Sequence, residues 1–277
     1  MNNQKILTIQ DISCYGQCST TVALPILSAF GYETAILPSA ILSTHTAGFK
    51  GFTVHDLSEE MPKIINHWKK ENITFDVLYT AYLGEIKHMD YVLEVKDNLM
   101  NKDSLFLVDP VMGDNGKLYP AFNEDYVEAM KKLVSKADII IPNLTEACFL
   151  THIQYMEKID NKYIDFVLEK LKDLGAKNIV ITGIPYEKDV IGIAMLDEEG
   201  NKSIFKHERV YPSYHGTGDI FTSVFLANYL KTKDLMVSSG NAAQFVINAI
   251  LNTKDDPNHN YGVKFEPLLT KSLEETK

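Results

Sequence analysis

The stretch Tyr214-His215-Gly216-Thr217-Gly218-Asp219 puts two glycines and a carboxylate directly in front of an apolar run that continues to Leu230. Two readings fit this pattern. In the plainer one, Asp219 lies in the first turn of a helix, where the positive end of the macrodipole favours a carboxylate, behind a tight turn. In the other, a helix starting near Thr217 aims its free N–H groups at an anion while Asp219 takes a proton from an attacking hydroxyl. Gly216, Thr217 and Gly218 then form an anion hole for a transferred phosphoryl group. Glycines there open backbone angles closed to other residues and let a ligand approach the chain. A carboxylate used only for capping has no need of both glycines.

The elements that must position these residues alternate along the whole chain. Nearly continuous apolar runs of strand length occupy 5–10, 33–39, 75–81, 105–110, 138–142 and 178–183. Segments of helical period lie around 19–30, 57–71, 86–100, 123–135, 144–151 and 161–174, and two long helices follow at 217–230 and about 234–252. Residues 189–210, around the turn signal Asp197-Glu198-Glu199-Gly200-Asn201, read as an antiparallel hairpin. The pattern predicts an α/β fold with a mostly parallel central sheet and helices on both faces, in one domain spanning 1–277. Ligands of such sheets bind beyond the carboxyl ends of the strands. Those ends carry Gln10-Asp11, Tyr82, Asp109-Pro110, Pro142-Asn143 with Glu146, and Thr182-Gly183. Taken singly, each is more readily a loop residue or a cap, and Asn143 or Thr145 is a natural N-cap for a helix near 144. Their recurrence at strand ends points to a site.

Composition narrows the ligand. A net charge of −10 with no cluster of Lys and Arg argues against a nucleic-acid surface. No apolar stretch approaches membrane-spanning length, and the N-terminal run Met1 to Gln10 lacks the pattern of a signal peptide, so a cytoplasmic protein is expected. Three cysteines fit a reducing compartment; Cys14 and Cys18 lack the second ligand pair that a zinc site requires. The P-loop, the dinucleotide glycine fingerprint after the first strand and the Gly-x-Ser-x-Gly elbow are all missing.

With "GTGD" opening a helix, "VDPVMGD" at 108–114 and "IPNLTEA" at 141–147, the chain resembles the ribokinase-like kinases of vitamins and sugars. "LTIQDISCYG" near the N-terminus, "STHTAGFKG" at 43–51 and "YTAYLG" at 79–84 make it similar to the pyridoxal/pyridoxamine kinase branch, over nearly the whole chain. The resemblance implies a ribokinase-like three-layer sandwich, ATP as phosphoryl donor, a B6 vitamer as acceptor, and a homodimer. It implies Asp219 as general base and Gly216, Thr217 and Gly218 as anion hole. Asp109, Asn143 and Glu146 would organise Mg²⁺, often through water, and Thr182 would lie near the nucleotide phosphates. A monovalent cation such as K⁺ near Asp109 and Thr182 is also implied. In the vitamin pocket it implies Thr46, with His45 in a positioning role, and Tyr82.

Segment 111–122 reads as a flexible loop or surface turn; the resemblance makes it a cover for the active site, with Asp114 and Tyr119 reaching over the nucleotide. Two positions depart from the branch: Ala47 where glycine is common, and Asp11 where many members carry serine. A carboxylate at 11 would favour a cationic vitamer such as pyridoxamine. Three further readings compete: a hydroxymethylpyrimidine kinase of thiamine synthesis, a non-catalytic vitamer-binding protein, and, distantly, a dehydrogenase.

Overall fold

A computed structural model describes residues 4–46, 48–156 and 158–269, so the departure at Ala47 lies outside the described residues. In chain order the elements are β1 (Lys5–Ser13), α1 (Thr20–Ala29), β2 (Glu33–Leu42), β3 (Val54–Asp56), α2 (Met61–Lys70), β4 (Phe75–Thr80), α3 (Ile86–Asn98), β5 (Met100–Val108), β6 (Gly113–Asp114) and β7 (Lys117–Leu118). They continue with α4 (Glu124–Val134), β8 (Ile139–Ile140), α5 (Leu144–Thr151), α6 (Asn161–Asp173), β9 (Asn178–Glu187), β10 (Val190–Leu196), β11 (Lys202–Glu208), α7 (Thr217–Thr232) and α8 (Leu235–Thr253). They gather into two compact units, one from the chain's two ends, up to Leu57 and from Val210 onward, and one from Ser58–Arg209.

In the first unit β1 pairs in parallel with β2, and β2 pairs antiparallel with the short β3. Ile6 to Gln10 of β1 are buried without a break, as a strand covered on both faces requires. β1 runs three residues beyond the expected 5–10, because the ladder shifts register between Gln10 and Ile12 and then resumes. Pro38, the partner of Gln10, has no N–H to give the ladder at that point. Asp11 therefore sits in an irregularity within the strand rather than past its end. α7 buries Ile220, Phe221, Val224, Phe225 and Leu226 and packs against α1 and α8, and the Tyr32 hydroxyl donates to the Ala227 carbonyl at 3.1 Å.

The second unit orders its strands β11-β10-β9-β8-β5-β4, with β4, β5, β8 and β9 parallel and β10 and β11 antiparallel. The expected hairpin is thus present, and β9 extends to Glu187 to make a third antiparallel arm. β3 and the β6–β7 pair were not expected. The latter turns on Asn115 and Gly116, both at positive φ (51° and 74°), as a two-residue primed turn demands. The Asn-Gly pair is a hairpin signal that strands of two residues conceal. Among the described residues no helix is long and apolar enough to cross a membrane.

Candidate active site

α7 begins at Thr217, with Gly216 as its N-cap at φ 79°. A Cβ on Gly216 would stand 1.9 Å from the Gln17 carbonyl oxygen, so the fold itself demands glycine. Gly218 is different: it is exposed, its φ is ordinary, and a Cβ there would meet nothing within 4 Å. Packing does not explain this second glycine, and it leaves open space over the free N–H groups of the first turn. Asp219, in that same turn, retains some accessible surface, yet its dense surroundings push its carboxyl up to about 7. Desolvation is the main cause; the polar backbone of Ser19 opposes it and the charge of Asp11 adds to it.

Asp11 is buried and accepts from the Ser13 hydroxyl at 3.0 Å. Burial raises its pKa, against the lowering effect of the neighbouring Ser19 and Ser13. Cys18 lies close to both carboxylates, and burial followed by their charge pushes its thiol up to about 12, leaving it an unreactive neutral group. His45 is buried, stacks edge-on with Phe49 and shares a 3.2 Å hydrogen bond between Nε2 and the Tyr261 carbonyl. Gly16, at φ 108°, exists to admit that ring, for its Cβ would fall 2.1 Å from His45 Cδ2. Thr46 beside it is exposed.

The second unit holds the other set. Asn143 and Glu146 form a capping box on α5: Asn143 Oδ1 accepts the Glu146 N–H at 3.0 Å, and Glu146 Oε2 accepts the Asn143 N–H at 2.8 Å. The plain reading of Asn143 as a cap is therefore correct as far as it goes. The same turn also grips segment 112–116. Glu146 Oε1 accepts the Met112 N–H (3.1 Å), Asn143 Nδ2 donates to the Gly113 carbonyl (2.8 Å), and Thr145 Oγ accepts the Gly116 N–H (2.9 Å). Glu146 is buried, and burial together with the neighbouring Asp109 charge holds its pKa well above the usual carboxylate range. Thr182 is bridged in parallel to Asn143, its N–H donating to the Pro142 carbonyl at 2.9 Å. Tyr82 is half-buried with its ring 5.6 Å from Phe122; Asp114 and Tyr119 are exposed. On the outer surface Glu124, Glu128 and His152 cluster as well, but Lys131 bonds Glu128 and His152 and already supplies the positive charge.

A carboxyl beside an open helix N-terminus in one unit, and buried carboxylates on a capped loop in the other, are each groups that phosphoryl-transfer chemistry can use. Residues 28–264 match the model of one family, phosphomethylpyrimidine kinase. The chain belongs to the phosphomethylpyrimidine kinase family. A pyridoxal kinase of Dictyostelium discoideum is 30% identical over 268 residues, covering 90% of this chain and 86% of its own. A Bacteroides thetaiotaomicron protein solved in a crystal form with pyridoxal is 34% identical with a TM-score of 0.92, over 98% of this chain and 96% of that one. The pyridoxal kinase of Lactobacillus plantarum is 33% identical with a TM-score of 0.89, over 99% and 98%. These likenesses bear out the ribokinase-like α/β fold and the kinase class read from the motifs.

Within this kinase chain, Ser13, Ser19 and Thr145 are the polar groups that motif reading missed. Ser19 precedes a helical pattern, and its sequence signature is that of an ordinary cap. Nothing in a serine announces a positive φ. Thr145 lies inside "PNLTEA", where its sequence position reads only as a cap.

Proposed function

We propose that this protein transfers the γ-phosphoryl group of ATP to the 5′-hydroxymethyl group of a B6 vitamer, regenerating the phosphorylated vitamin. The observation that carries this reading is Asp219: a carboxyl poised near neutrality in the first turn of α7, beside a glycine that packing does not require. At pH above about 7 it is ionised and able to take the hydroxyl proton. The N–H groups of the Gly216 to Gly218 turn stabilise the charge on the phosphoryl group as it moves. The pyridoxal kinases of similar sequence and structure support a pyridine acceptor.

In this proposal Tyr82, Thr46 and His45 bound the vitamin, with His45 acting by position, its ring already engaged. Asp11 offers a carboxylate to a cationic vitamer, and Asp11→Ser is expected to lower the efficiency with pyridoxamine relative to pyridoxal severalfold; an unchanged ratio removes that role. Thr182, Asp114 and Tyr119 serve the nucleotide. Asp109 and Glu146 fit a divalent cation, because two buried carboxylates that repel one another are stabilised by one. Mg²⁺ would neutralise phosphate charge; the polar atoms of Asn143 and Glu146 are committed to the cap and the loop, so their contact would run through water. K⁺ near Asp109 and Thr182, a homodimer and a cytoplasmic setting complete the proposal, the last supported by three unpaired cysteines.

ADP release with ATP and Mg²⁺ against pyridoxal, pyridoxamine, pyridoxine and hydroxymethylpyrimidine tests it. Turnover driven by a B6 vitamer and lost in Asp219→Asn is the expected result. Turnover with the pyrimidine alone transfers the same mechanism to the pyrimidine reading that the family's description names.

A further inference from the structure

Gln17 lies half-buried in the loop between β1 and α1, and two glycines from the other end of the chain crowd it from different segments, all within the first unit. A Cβ on Gly216 would fall 1.9 Å from the Gln17 carbonyl oxygen, and a Cβ on Gly262, at φ 141°, would fall 2.4 Å from the Gln17 Cβ. Both segments therefore carry glycine where they meet this one residue.

The polar groups of Gln17 other than that carbonyl bond to the second segment. Its N–H donates to the Tyr261 carbonyl (2.9 Å), Nε2 donates to Glu266 Oε1 (2.6 Å), and Oε1 accepts from His259 Nε2 (2.9 Å). A carboxylate at one end of the amide and an imidazole N–H at the other leave it a single orientation. Segment 259–266 is itself anchored, for Val263 and Phe265 are buried and the Lys264 N–H donates to Thr253 Oγ at the end of α8 (2.8 Å). The carbonyls on either side of Gln17, those of Gly16 and Cys18, share the Thr21 hydroxyl at 3.1 and 2.7 Å. A loop that was only tied down would leave the Gln17 carbonyl to water; here it is pressed against Gly216, the N-cap of α7.

Building on the kinase reading above, we infer that Gln17 is a positioning residue. Braced by segment 259–266, its carbonyl sets the place of the Gly216 turn, and with it the direction of the free N–H groups and of Asp219 in the first turn of α7.

The test uses the full chain with Gln17→Ala, Glu266→Ala, Glu266→Gln and the double variant Gln17→Ala/Glu266→Ala. Pyridoxal binding is read by calorimetry, kcat by ADP release at saturating substrates, and hydrogen exchange of peptide 214–220 by mass spectrometry. Gln17→Ala is expected to lose about tenfold in kcat while pyridoxal affinity stays within about twofold of wild type, as displaced catalytic groups do. Glu266 is exposed, so its variants keep the fold and decide alone if Gln17→Ala does not accumulate. Glu266→Ala is expected to lose about threefold in kcat, and Glu266→Gln, which keeps an acceptor for Gln17 Nε2, to restore it. The double variant should be no slower than Gln17→Ala, because both changes break one bond. Each variant that loses kcat should exchange faster over 214–220. A purely structural Gln17 would lower the melting temperature and leave kcat alone, so a kcat within about twofold of wild type in Gln17→Ala overturns the inference. A loss in Glu266→Ala that glutamine does not restore, or that multiplies undiminished onto Gln17→Ala, overturns it as well. If the wild type phosphorylates none of the vitamers, the kinase reading falls instead; exchange over 214–220 then decides Gln17, an unchanged rate overturning its role.

Discussion

At the scale of residues, Asp219 carries the sharpest expectations. Only its ionised form accepts a proton, so kcat/KM should rise with pH through about 7, and Asp219→Asn should lose about 10²- to 10⁴-fold in kcat. The same shift has a stability sign. A carboxyl whose folded pKa is raised from 3.8 to about 7 favours folding below its unfolded pKa, and that contribution is lost as pH climbs through the folded value. Asp219→Asn should therefore gain about 1–3 kcal/mol over the wild type between pH 4 and pH 8, the range allowing for partial solvent screening. Denaturant melts at the two pH values check this; equal differences at both would show the carboxyl to be unshifted. The two glycines separate fold from function. Gly216→Ala should destabilise by more than about 2 kcal/mol, since both φ and the Gln17 carbonyl oppose a Cβ. Gly218→Ala should melt like the wild type and lose activity. If both fold normally, the close approach of Gln17 is relieved more easily than the geometry indicates.

Among the elements, α5 is the one that joins two tasks, since its first turn both caps the helix and grips the β6–β7 hairpin. Thr145→Val keeps the volume and removes the acceptor of the Gly116 N–H. A loosened hairpin admits water, so ADP formation without vitamer should increase severalfold while vitamer phosphorylation declines. An unchanged ratio of the two rates would mean that the hairpin does not exclude water. How far such elements were legible varies with what stabilises them. The long parallel strands and helices follow from apolar period, and α7 begins where the glycine-aspartate turn placed it. β1 was cut short at Gln10 because register is set by its partner, and Pro38, which breaks the ladder, lies in another strand. β6 and β7, two residues each, carry no period and owe their form to Asn115-Gly116 and to hydrogen bonds from α5. Asp109, Asn143, Glu146 and Thr182 stood out because strand ends are where such sheets bind. The left-handed backbone of Ser19 did not, because a serine does not announce a positive φ.

For the whole molecule, net charge has a measurable consequence. A chain of charge −10 repels ATP at long range. Raising ionic strength from about 10 to 150 mM with tetramethylammonium chloride, which shortens the screening length to about 8 Å, should lower KM for ATP. A rising KM would point instead to local cations dominating the approach. The first compact unit, drawn from both ends of the chain, constrains when activity begins. Asp11 and Ser19 leave the ribosome early, but Asp219 follows only after roughly 150 further residues of the second unit, on the order of ten seconds of synthesis later. Until then α1 waits without the helix it packs against, and a growing or truncated chain lacks the carboxyl proposed to act as base.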